Sequence, residues 1–130
     1  MTAAEAGDVV AVELMLDLGI PIDARNEGHG ATALHVAAHS GSVQTVRLLL
    51  ARGADIDARD GVFDANSLAW GAVGSGQQPS KAPDADWEAV VRTLLDAGAS
   101  TEGIVLEAGE VSQPSPEVAS LLRGRGVPSR

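Results

Sequence analysis

The chain has 130 residues, a formal net charge of −9, no cysteine and only three aromatic residues, Phe63, Trp70 and Trp87. That length fits one domain, and the missing cysteine excludes a disulfide framework and thiolate chemistry. Scattered basic residues in an acidic chain argue against nucleic acid and anionic membrane as partners, because both need clustered positive charge.

The opening MTAAEAGDVV has neither a basic n-region nor an apolar run of signal length, and no stretch approaches a membrane span. A cytoplasmic location is expected. Arginine outnumbers lysine, and Ala and Gly are abundant, a composition that suggests a bacterial source. With so few rings, the core is expected to be thin layers of helices with Ala at their contacts.

Residues 3–25 align without gaps on residues 37–59, an offset of 34. Ala3, Ala4, Gly7, Val9, Val12, Leu14, Leu16, Gly19, Ile22, Asp23, Ala24 and Arg25 all recur, which identifies an internal repeat. The first unit, 1–25, is truncated, because Met1 falls inside its expected first helix. Its apolar flank around Val9, Val12 and Met15 is expected to be exposed, which makes self-association a possibility.

The second unit, 26–59, predicts two short helices. Thr32 caps the first, whose apolar face carries Leu34, Ala37 and Ala38. Gly41 stops it and Ser42 caps the second. There Val43, Val46, Leu49 and Leu50 form one apolar stripe, and Gly53 ends the helix where a left-handed residue is wanted. The linking segments IPIDARN and ADIDARD are short and polar, suited to turns projecting from a stack.

The third unit, 60–101, repeats the second helix as AVVRTLLDAGAS, with Val91, Leu95 and Gly98 over Val46, Leu50 and Gly53. Its offset of 45 exceeds the first one and implies an insert near 76–86, inside the loop-like GSGQQPSKAPDAD stretch. Trp87 is expected to pin that insert to the stack. A degenerate fourth unit, 102–130, ends in SPEVASLLRGRG, where Ser115, Pro116 and Glu117 supply a cap, a first-turn proline and a first-turn acid.

GATALHVAAHSGSVQTVRLLLARGADIDARD resembles an ankyrin repeat. Thr32, Leu34, His35, Ala37, Ala38, Gly41, Val46, Leu49, Leu50, Gly53, Ala54, Asp55 and Ala58 match the family pattern. Ala33 departs from its usual proline, and NSLAWGA departs from the expected start of the third unit. The resemblance implies an all-α solenoid of stacked helix–turn–helix units, a single domain over 1–130, and protein binding through the concave face and turn tips.

On that pattern the contact positions of the second unit include Glu27, His29, Val36, His39 and Ser40. Sliding by one repeat adds Phe63, Trp70 and Val73. Buried aromatics are common interface anchors, so Phe63 and Trp70 stand out; alternatively, Trp70 packs under the insert or against the fourth unit's loop. The runner-up function is a C-terminal regulatory or capping segment of a longer repeat protein, contacting its own neighbouring domain.

Catalytic and metal-dependent readings are weaker. His35 and His39 have the i, i+4 spacing of two zinc ligands, but no third ligand accompanies them. The family pattern also gives His35 a hydrogen-bonding role between turns. Ser40 and His39 are adjacent on a helix and point apart. Asp55 and Asp57 lie in a turn open to water, a poor setting for acid–base work. The GSG at 74–76 lacks the lysine of a phosphate loop. No enzyme activity and no cofactor are expected.

Overall fold

Helices here are set by their caps. The computed structural model describes residues 9–78, 85–101 and 114–126, and every regular element among them is an α-helix. They are α1 (Val9–Asp17), α2 (Ala33–His39), α3 (Val43–Ala51), α4 (Ser67–Gln77), α5 (Trp87–Asp96) and α6 (Pro116–Gly124). The side chains of Thr32, Asn66, Asp86 and Ser115 accept first-turn N–H groups of α2, α4, α5 and α6. Ser42 precedes α3 without such a bond.

Four helices end at an equivalent glycine: Gly19, Gly53, Gly98 and Gly126 have φ between +90° and +96°. A side chain there would strain the left-handed backbone, so this position fixes where each unit turns.

The helices form two rows. α2 packs on α4, while α1, α3, α5 and α6 follow one another behind them, and α2 closes on α3 as α4 closes on α5. Between the rows lies one core, with Leu34, Val46, Leu49, Leu68, Val90, Leu94 and Leu122 essentially inaccessible. Leu49, Leu94 and Leu122 hold the same position in successive units, so the repeat in sequence is a repeat in packing.

The turns repeat as faithfully. Asn26 and Asp60, which open successive units, each bracket a hairpin by donating N–H to the carbonyls of Ala31 and Ala65, both at 2.9 Å. Each side chain also accepts N–H groups within its own loop, from His29 and Ala31 at Asn26 and from Val62, Phe63 and Ala65 at Asp60. Arg25 donates to Gly30 O and Arg59 to Asp64 O at the equivalent place. Asp23 accepts the N–H of Asp55, and Asp57 that of Ser100, again the same link. These exposed carboxylates tie unit to unit, which explains acids at this turn without any catalytic task.

Two expectations change. Residues 74–77 are helical rather than loop, because α4 runs a turn past the place where α2 stops. α2 stops before Gly41, at φ +74°, and the residue in that register in α4 is Ser75, which continues the helix and donates to Ala72 O at 2.6 Å. Glycine at 74 serves close packing: a Cβ there would lie 2.3 Å from His39 O. The rest of the insert at 79–84, residues 1–8 of the first unit and 102–113 of the fourth lie outside the described residues.

The second change is the N-terminal flank. Val12 is buried in the core and Val9 and Met15 are half-buried; the exposed side chains are Val10, Leu14 and Leu18. Val12 is the equivalent of core residue Val46, so α1 turns that face inward and presents the i, i+4, i+8 row beside it.

Trp87 does anchor the chain returning from the insert. It is buried against Gly41, its Nε1 donates to His39 O at 2.8 Å, and the adjoining Asp86 N–H donates to Gly41 O at 2.9 Å.

Candidate functional site

All three histidines of the chain surround one tryptophan. Trp70, on the second turn of α4, meets His35 at 5.2 Å, His29 at 5.9 Å and His39 at 6.0 Å between ring centroids, each edge-on. Phe63 stacks on the far side of His29 at 6.3 Å. Phe63, His29, Trp70 and His39 thus make a continuous row of rings from hairpin tip to helix. Edge-to-face and offset pairs are the arrangements ring quadrupoles favour.

The row is held from below by hydrogen bonds. Trp70 Nε1 donates to Asp60 Oδ1 at 3.1 Å. Asp60 is only 4% exposed and also accepts the N–H groups of Val62, Phe63 and Ala65. Burial pushes its carboxyl up, but these donors outweigh burial and hold it down at about 2. The hairpin carrying Phe63 is therefore locked to the helix carrying Trp70 through one ionised carboxylate.

His35 is wholly buried behind the row. Its Nδ1 accepts from Thr32 N at 3.1 Å and lies 2.9 Å from Thr32 Oγ1, while its Nε2 donates to Ala65 O at 2.9 Å. Burial lowers its pKa, opposed in part by the Ala65 carbonyl. With both ring nitrogens engaged, His35 joins its own helix cap to the next hairpin, the inter-turn role the family pattern implies. His39 instead places Nε2 3.0 Å from Gln77 Oε1, on the extra turn of α4. Among the described residues no three metal-ligating side chains converge.

The expected contact residues divide into two groups. Glu27, His29 and Phe63 are exposed, Phe63 at 68%; His39, Trp70 and Val73 are half-exposed. Val36 and Ser40, expected on the same face, are buried at 6% and 7% and serve packing. The α2–α4 contact is close enough to cover them, since glycines at 71 and 74 let the two helices approach.

Sequence reasoning missed Asp60 and Gln77. Asp60 could have been found from Asn26, its equivalent in the preceding unit, once that residue's role as hairpin bracket was known. Gln77 carried no signal, because the helix was expected to end before it.

Among the described residues no helix is long and apolar enough to cross a membrane. No curated protein matches the chain. Residues 1–60 match the family described as Ankyrin repeats (3 copies), whose members generally mediate protein–protein interaction. Taken with that match, the stacked helix pairs and the hairpins repeated from unit to unit make the fold an all-α ankyrin-repeat solenoid.

Proposed function

We propose that this chain binds a partner protein through the ring row Phe63–His29–Trp70–His39, with Glu27 and Val73 beside it, and that it acts without cofactor or catalysis. The observation that supports the reading is the placement of the rings. In a chain with three aromatic residues, two stand on one face, coupled to two histidines, with Phe63 mostly in water. A solenoid presents such a face on a rigid frame, and here Asp60 and His35 pre-organise it. Ordering cost on binding is correspondingly small.

The test compares affinity capture by wild type, Phe63→Ala and His29→Ala, with circular dichroism to verify folding. Proteins held by wild type should be lost from both variants while melting temperature is unchanged. With a purified partner, Phe63→Ala should weaken binding by about 2 kcal/mol, roughly thirtyfold. An identical capture profile for all three proteins would move the binding surface elsewhere on the solenoid.

A further inference from the structure

The inner helices and the hairpins beside them differ sharply in charge. α2 and α4, which carry His39, Trp70 and Val73, contain no Asp, Glu, Lys or Arg. The adjoining turns and hairpins, 23–31 and 55–65, hold Asp23, Glu27, Asp55, Asp57, Asp60 and Asp64 against Arg25 and Arg59. Both guanidiniums are turned onto hairpin carbonyls, Arg25 onto those of Gly30 and Arg59, and Arg59 onto that of Asp64. An uncharged row of rings is therefore bordered by a rim of net negative charge.

Four of the six acids serve the fold. Asp23, Asp55, Asp57 and Asp60 accept the backbone N–H groups of Asp55, Asp57, Ser100 and Val62. The other two stand beside the rings, Glu27 in the hairpin of His29 and Asp64 next to Phe63, and both are exposed. Among the described residues Glu27 has no ion-pair partner. Asp64 lies 4.0 Å from Arg59 Nη1, at the limit of pairing, with its side chain 83% in water. The backbone does not ask for an acid there: Asp64 is left-handed at φ +51°, where the preceding unit has Gly30 at +65°.

We infer that the ring row takes a basic segment of the partner protein, in which a large apolar side chain lies beside Lys or Arg. This rests on the ring row being the binding face. The apolar side chain covers Phe63 and Trp70, and the cation faces the carboxylates of Glu27 and Asp64. Complementary charge of this kind steers encounter and selects among partners more than it adds affinity. An acidic segment is repelled by the same rim. Exposed ion pairs are individually weak, so the rings hold the segment and the rim chooses it.

Random short peptides displayed on phage and selected on the immobilised full chain test this. Enriched peptides should join Lys or Arg to Leu, Phe, Tyr or Trp, and fluorescein-labelled copies should bind in anisotropy titrations. A double variant, Glu27→Gln with Asp64→Asn, should bind them about fivefold more weakly at about 0.1 M salt. It should match wild type at about 1 M salt, where charges are screened beyond about 3 Å. Phe63→Ala, folded by circular dichroism, should lose binding at both salt concentrations. Peptides that need Phe63 but lack basic residues, or bind the double variant as well as wild type at low salt, would overturn the basic partner and keep the ring row. Peptides indifferent to Phe63→Ala would remove the ring row itself as the binding face. Enrichment of no peptide at all would overturn a short basic segment as the occupant.

Discussion

Trp70 donates its indole N–H to Asp60 at 3.1 Å, so the ring at the centre of the aromatic row and the hairpin that displays Phe63 share one buried carboxylate. Asp60 is depressed to about 2 because its hydrogen-bond donors outweigh its burial. In the unfolded chain it titrates near the ordinary value of about 3.9. A depressed carboxyl contributes stability that is complete above the unfolded value and is lost as pH falls through the folded one. The window is therefore about pH 4 down to about 2, and the contribution is on the order of 2 kcal/mol.

Asp60→Asn separates charge from geometry. Asn26 shows that an amide oxygen can accept the same loop N–H groups. The variant should fold, be less stable than wild type by about 1–2 kcal/mol at neutral pH, and lose that deficit as pH falls toward 2. Asp60→Ala should cost about 3 kcal/mol or more, since several N–H donors lose their acceptor. Urea titrations of the three proteins at several pH values measure both effects. A deficit for Asp60→Asn that persists at pH 2 would contradict the electrostatic account.

His35 gives a second pH window of the same sign. Burial lowers its pKa, so below about pH 6.5 the unfolded chain takes up a proton that the folded one refuses. Stability is complete above that value and falls as pH drops toward the lower folded value. Melting temperature should decline more steeply for wild type than for His35→Gln between about pH 7 and 5. At pH 8, His35→Ala should cost about 2–4 kcal/mol, because Thr32 N–H and Ala65 C=O lose a buried partner. A chelator should leave wild-type melting unchanged, as both ring nitrogens are already engaged.

Core and flank should respond to the same change by very different amounts. Leu49 is buried at the centre of α3, and Leu49→Ala should cost about 2–5 kcal/mol. Leu14→Ala, on the open face of α1, should cost no more than about 0.5 kcal/mol. Calorimetry reads both. Equal losses would mean that α1 is covered within its own chain.

What the sequence made legible was whatever repeats. Thr32, Leu34, Val46, Leu49 and Gly53 recur or match a pattern, and each is where that pattern requires: at a cap, in the core, at a helix end. Features belonging to one unit were harder. Glycine 74 reads as a loop in sequence because a missing side chain signals a turn and a close helix contact alike. The ring row needed distances: His29 and His39 lie far from Trp70 along the chain and meet it only because α2 lies against α4. Val36 and Ser40 were placed on the surface by family register, but the small residues of α4 close that gap.

The two meanings of glycine can be separated by mutation. Gly53 has φ +90° and open space around it, so Gly53→Ala meets no atom and pays only the left-handed backbone, about 1–2 kcal/mol. Gly74 lies within helix α4, at no positive φ, so backbone strain is not its reason for being glycine. Its obstacle is steric: a Cβ would sit 2.3 Å from His39 O and 2.9 Å from His39 C and Cα, all backbone atoms that cannot rotate away. Gly74→Ala must therefore force α4 from α2, and should cost about 3 kcal/mol or more, at the upper end of overpacking. The displacement should also disturb the other contacts of His39, with Gln77 on α4 and, through its carbonyl, with Trp87 Nε1 at the start of α5. Chemical denaturation gives the stabilities, and the indole N–H resonance of Trp87 reports the bridge. Gly74→Ala should shift that resonance while Gly53→Ala leaves it in place, and a Gly74→Ala protein as stable as wild type would show that α2 and α4 are not in close contact.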